Sequence, residues 1–202
     1  DVGDQTSITI GADGLGLISY YDSTNGDLKV AHCDNTACTS ATTSTLDSVG
    51  DVGDQTSITI GADGLGLISY YDNTNKNLKV AHCDNTNCTS ATKTTLDSTG
   101  FVGWYTSTTI GADGLGLISY YDNTNTALKV AHCDNTNCTS ATTATLDSTG
   151  NVFSYMSITI GADGLGLISY RDNTNSALKV AHCDNTNCTS ATITALDATG
   201  TV

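Results

Sequence analysis

The chain has no proline and no glutamate, a single tryptophan and two phenylalanines. Basic side chains are scarce. Seven Lys and Arg stand against 21 acidic residues, all of them Asp, for a formal net charge of −14. Such a balance repels phosphate and excludes a nucleic-acid partner. No apolar run approaches the roughly 20 residues a membrane-spanning helix needs. Long helices are also disfavoured, because the abundant Thr, Asn, Asp and Gly have low helix propensity. There is no signal peptide, but the first residue already sits inside a repeat pattern, so the chain reads as a mature or excerpted segment.

What is present is one unit written four times. Residues 1–50 and 51–100 differ at seven positions, and further copies occupy 101–150 and 151–202. The closing Thr201-Val202 reads as the start of a next unit, which favours an excerpt of a longer array. Self-similarity at this period implies a propeller, a solenoid or an array. The eight cysteines fall in four pairs: Cys33/Cys38, Cys83/Cys88, Cys133/Cys138 and Cys183/Cys188. Even number and regular spacing favour local disulfides and an oxidising, extracellular or cell-surface location. The rival reading is zinc on His-Cys-x4-Cys, but zinc usually takes four ligands and each unit offers only Asp34 or its copies as the fourth. No metal is therefore assigned to the cysteines.

Within residues 51–100, Thr56–Ile60 alternates polar and apolar as a half-buried strand does. Asp63-Gly64 marks a hairpin in which both central residues are expected at positive φ. Leu65–Tyr71 is apolar enough to be buried on both faces. Asp72–Asn75 is a turn cluster. Leu78–Cys83 is a third strand, Asp84–Asn87 a turn clamped by Cys83 and Cys88, and Ala91–Leu96 a Thr-rich outer strand. Four antiparallel strands per unit of about 50 residues predict an all-β, β-propeller-like chain of four blades, with a linear array as the alternative. The blocks Ile60–Tyr70 and Leu78–Asn85 resemble repeats of secreted bacterial proteins of the sialidase-like, Asp-box propeller type. The resemblance implies a propeller fold. No full Ser-x-Asp-x-Gly-x-Thr-Trp box is present, so it carries over no catalytic residue.

The copies differ mainly in the second loop and in the connection between units, and strand parity puts both at one end of the blade. That end gains Phe101, Trp104, Tyr105, Phe153, Tyr155 and Arg171 in the third and fourth units. These residues are candidates for glycan stacking or a protein contact, or for packing the seam between units. An enzyme is not expected. Nearly every polar side chain exists in four equivalent copies, and glycoside hydrolysis needs two carboxylates in different environments. His32, His82, His132 and His182 read as strand histidines bonded to a neighbour. No cofactor is expected; calcium on the oxygen-rich Asp72–Asn75 and Asp84–Asn87 turns is the weaker alternative, since neither matches an EF-hand loop and turn chemistry explains the same residues. The leading functional expectation is a structural or assembly role, as a surface or filament component that self-associates or stacks on neighbouring repeats. The second is a lectin-like or adhesin module using the aromatic loops.

Overall fold

The computed structural model describes residues 1–152 and 155–198. Among them lie sixteen β-strands and no helix. The first sheet holds β1 (Asp4–Ile10), β2 (Gly16–Asp22), β3 (Asp27–Cys33) and β4 (Ala41–Asp47). The second holds β5 (Val52–Ile60), β6 (Gly66–Asp72), β7 (Asn77–Cys83) and β8 (Ala91–Asp97). The third holds β9 (Val102–Ile110), β10 (Gly116–Asp122), β11 (Ala127–Cys133) and β12 (Ala141–Asp147). The fourth holds β13 (Ser157–Ile160), β14 (Gly166–Asp172), β15 (Ala177–Cys183) and β16 (Ala191–Asp197). In each sheet the spatial order follows the chain and every pairing is antiparallel. The architecture is a set of propeller blades, as the repeat pattern predicts. The first strand of each blade is innermost: β5 packs between β1 and β9, and β9 also meets β13.

The core is not inside the blades but between them. Leu17, Leu28, Val30 and Leu46 of the first blade pack on Val52, Ile58, Ile68, Tyr70, Ala81 and the Cys83–Cys88 disulfide of the second. The second-to-third and third-to-fourth seams repeat this arrangement with equivalent residues. The buried middle strands and the exposed, Thr-rich fourth strand follow from it. All four Cys pairs are disulfides, each with Cα atoms 4.9 Å apart. In the second to fourth blades they are fully buried at the second cysteine, as part of the seam, rather than only clamping an exposed turn.

Two local expectations are corrected. The first hairpin is a three-residue loop, not a two-residue one. Gly14 N–H donates to Gly11 O at 2.9 Å, and Gly11 N–H to Leu15 O at 2.8 Å. Only Gly14, at φ 80°, is left-handed; Asp13 is not. Asp13 instead braces the turn with its side chain. Its Oδ1 accepts from Leu15 N–H and its Oδ2 meets His32 Nε2 at 2.8 Å. A type I turn followed by a left-handed glycine is the next most common hairpin closure. The second correction concerns the connection between units, which the sequence pattern leaves as loop. The strand extends through it, so β5 starts at Val52. The extension is irregular: Val52, Asp54 and Ser57 pair with Asp72, Tyr71 and Ser69, so one extra residue is inserted at each step. Gly53 and Gln55, both at positive φ, take up those insertions.

Candidate ligand-binding site

The bulges build a place where all four blades meet. Gln5, Gln55, Tyr105 and Tyr155 occupy the equivalent position, with φ of 51°, 54°, 53° and 58°. Left-handed backbone is uncommon for such residues and concentrates at functional sites, where the surrounding structure holds it. With their neighbours Thr6, Thr56, Thr106 and Met156 they line an axial cavity of about 450 Å3. The side chains also hold the ring of bulges together. Gln5 Oε1 accepts from Gln55 N–H, and Gln55 Oε1 accepts from Tyr105 N–H in the next blade. Tyr105 and Tyr155 close the other side with ring centres 5.9 Å apart and planes at 43°. Tyr155 is 80% exposed, so its ring face is open to solvent.

The lining is electrically neutral: two amides, three threonine hydroxyls, two phenols and a thioether. The nearest perturbed carboxyl in the chain is Asp54, one residue before Gln55. Burial raises its pKa, with the Gln5 side chain and the Gln55 backbone N–H acting in the opposite direction. Burial likewise raises the Tyr105 phenol.

The sequence-predicted aromatics separate. Trp104 and Tyr105 lie where β9 runs beside Tyr121 and Asp122, at the same end of the blade as the Asp122–Ala127 loop. Trp104 is half-buried and turns away from the cavity onto Tyr71 of the preceding blade, edge-to-face at 5.8 Å. Tyr105 and Tyr155 line the cavity. Phe101 is 49% exposed in the β8–β9 connection. There it stands where Asp51 and Asn151 accept the hydroxyls of Tyr21 and Tyr121. The Tyr71 hydroxyl, which has Phe101 opposite instead, is buried without a hydrogen bond. Arg171 is exposed on β14 and lines a separate cavity with Ser176, Ala177, Leu178 and Asp197. Phe153 lies outside the described residues. Sequence reasoning missed Gln5 and Gln55, which share the axial cavity, and no residue-type signal marks them, because glutamine has no left-handed preference.

The oxygen-rich turn at Asp72 is internally satisfied: Asn75 donates its backbone N–H to Asp72 Oδ1 at 2.8 Å and its side-chain amide to Oδ2 at 3.0 Å. Among the described residues no group of three or more His, Cys, Asp or Glu is placed to hold a metal ion.

No protein-family model and no curated protein matches the sequence. Solved structures do match its fold. A GH62 hydrolase in complex with xylotriose superposes with a TM-score of 0.62 at 12% identity, covering 98% of this chain and 69% of that one. The α-L-arabinofuranosidase from Lactobacillus brevis gives 0.59 at 12% identity, over 96% and 73%. The intramolecular trans-sialidase from Ruminococcus gnavus, in complex with oseltamivir carboxylate, gives 0.58 at 16% identity, over 84% and 38%. At such identities the likeness is one of fold: a β-propeller of the kind found in glycoside hydrolases. It corrects the expectation of a structural or assembly role. The solved structures it resembles are described as glycoside hydrolases and a trans-sialidase, and the near-identical units surround a pocket instead of forming a featureless scaffold.

Proposed function

We propose that this protein binds a neutral oligosaccharide in the axial cavity and does not cleave it. The observation that carries the reading is the Tyr105–Tyr155 pair, two rings at the mouth of a pocket otherwise lined by amide and hydroxyl groups. Sugars present apolar C–H faces that stack on aromatic rings, and hydroxyls that pair with amides and hydroxyls. Among the solved structures of similar fold is a hydrolase that holds xylotriose, which supports a pentose or hexose oligomer as the ligand class. Fold alone does not carry a reaction. Glycoside hydrolysis needs an acid and a second carboxyl group on either side of the scissile bond, and none of the eight lining residues is a carboxylic acid. The four disulfides support an extracellular or cell-surface setting, where such ligands occur.

Titration calorimetry of the whole chain with xylo-, arabino- and galacto-oligosaccharides tests this. Binding to at least one is expected, weakened at least tenfold by Tyr105→Ala and by Tyr155→Ala. Absence of binding to all of them would sink the carbohydrate reading. Release of reducing sugar, abolished by Asp54→Asn, would sink the non-catalytic half of it.

A further inference from the structure

The three seams are copies of one interface, and each has two unlike halves. A trailing half consists of Leu28, Val30, Leu46 and their copies. A leading half consists of Val52, Ile58, Ile68, Tyr70 and the disulfide, or their copies. Among the described residues, the first blade carries a leading half with no blade against it, and the fourth a trailing half with no blade against it. The exposures record this residue by residue. Val2 and Ile8 are 61% and 64% exposed, whereas Val52 and Ile58 are 0% and 6%. Leu178 and Leu196 are 47% and 62% exposed, whereas Leu28 and Leu46 are 0% and 5%. Cys38 is exposed while Cys88, Cys138 and Cys188 are fully buried.

The polar parts of the seam are split in the same way. Lys79, Lys129 and Lys179 each reach an Asp of the preceding blade, at Asp47, Asp97 and Asp147. Lys79 and Lys179 also reach the Asp of their own blade, at Asp72 and Asp172, but among the described residues Lys29 has only that contact, to Asp22 at 3.5 Å. Gly53 lies so close to Leu28 that a Cβ would sit 2.5 Å from its Cα, but a Cβ on Gly3 would meet nothing within 4 Å. Blades one and four line the axial cavity together, through Gln5 and Tyr155. The chain therefore curls round its axis, and its two unpartnered faces border one gap. Apolar faces of this sort mark interaction sites.

We propose that this gap takes one further blade of the same repeat type. Its leading half would cover Leu178 and Leu196, and its trailing half would cover Val2 and Ile8. The three existing seams identify the occupant. Each face already has a demonstrated partner inside the molecule, with apolar rows, a glycine-to-leucine backbone approach and a Lys/Tyr-to-Asp bond in register. A whole second copy would bring three blades too many to a gap bordered on both sides.

The test compares the four-unit chain with one in which a fifth unit, with the sequence of residues 51–100, follows residue 200 in frame. The five-unit chain is expected to be monomeric, with β1 amides exchanging at least tenfold more slowly and with less binding of an apolar fluorescent dye. Ile8→Asp and Leu178→Asp supply the second readout. Each is expected to leave the melting temperature of the four-unit chain almost unchanged and to lower that of the five-unit chain by about 5 °C or more. A fifth unit that stays unfolded, or that folds while β1 exchanges as before, overturns the proposal. So does a dimer of the four-unit chain that persists when the fifth unit is present, because the faces then belong to a second copy. Sugar binding is not read in any of these measurements, so the outcome is independent of the ligand assignment.

Discussion

The hydroxyl of Tyr70 donates to Oδ2 of Asp47 at 2.8 Å across the seam between the first two blades. Lys79 Nζ reaches the same oxygen at 2.6 Å. The third blade repeats the lock with Tyr120 and Lys129 on Asp97, and the fourth with Tyr170 and Lys179 on Asp147. Burial opposes the charge on Asp97, yet Lys129, Thr99 and Tyr120 together hold its carboxyl below the usual carboxylate range.

Asp97→Ala is therefore expected to destabilise the protein by about 3 kcal/mol, because removing one partner of a buried pair leaves the other charge uncompensated. Lys129 is 9% exposed and Tyr120 fully buried, so neither gains water in exchange. Urea unfolding of the variant measures the loss. A change below about 1 kcal/mol, the range of an exposed ion pair, would mean that the seam is hydrated.

A serine row next to the axis discriminates satisfied from orphaned hydroxyls. Ser19 accepts from Thr56 Oγ1 at 2.9 Å, and Ser69 is bonded to both Thr106 and Thr108. The equivalent positions facing Ser119 are Met156 and Ile158, and the Ser119 hydroxyl is buried with no partner. Ser119→Ala should be neutral or stabilising by about 1 kcal/mol, because it removes an unmet donor, whereas Ser69→Ala should cost about 1 to 2 kcal/mol. Equal effects in thermal unfolding would contradict the orphan assignment.

Acid should unfold the protein through the same carboxylates. Asp47, Asp97 and Asp147 all have lowered pKa values, and Asp172 is lowered to about 2. For Asp172, burial acts upward but is outweighed by bonds from Lys179 and Asn175. Groups depressed on folding contribute stability that is complete above the unfolded pKa of about 4 and is lost as pH falls through the folded value. Tyr70, Tyr120 and Tyr170 are raised by burial and by the adjacent Asp, so their contribution is complete below pH 10 and is lost only at higher pH. The urea midpoint should thus be flat between about pH 5 and 9 and fall between pH 4 and 2. A midpoint that instead drops between pH 7 and 5 would contradict the assignment to these carboxylates.

How much of this was legible in the sequence depends on range. Strand identity was: the alternation in Thr56–Ile60, the Asp63-Gly64 turn and the unbroken apolar run at Leu67–Tyr71 are local signals with local causes. The disulfides followed from spacing. The seams were not legible, since Asp47 and Lys79, or Ser7 and Ile58, meet only because one blade lies beside the next. The axial pocket was half legible. Tyr105 and Tyr155 stood out as departures from the repeat, but Gln5 and Gln55 lay in a segment read as connection, and a left-handed glutamine has no sequence signature. Trp104 stood out for the same reason as the tyrosines, yet it packs on Tyr71. Whether an aromatic side chain turns into a seam or a cavity is decided by the bulge beside it.

The closeness of the blades can be read from a pair of glycines. Gly53, at φ 98°, lies against the backbone of Leu28, so that an added Cβ would stand 2.5 Å from Leu28 Cα and 2.8 Å from its N. Backbone cannot yield as a flexible side chain does, so Gly53→Ala must push the second blade away from the first. Gly3 has a similar φ, 88°, with open space around it. Gly3→Ala thus isolates the conformational cost of a Cβ in the left-handed region, about 1 to 2 kcal/mol. Gly53→Ala bears that cost plus overpacking of about 1 to 3 kcal/mol. The difference between the two variants in chemical unfolding should therefore be about 2 kcal/mol, with Gly103→Ala, which meets Leu78 Cα at 2.7 Å, behaving like Gly53→Ala. Should Gly3→Ala prove as costly as Gly53→Ala, backbone conformation alone would account for both, and the seams would be looser than the geometry states.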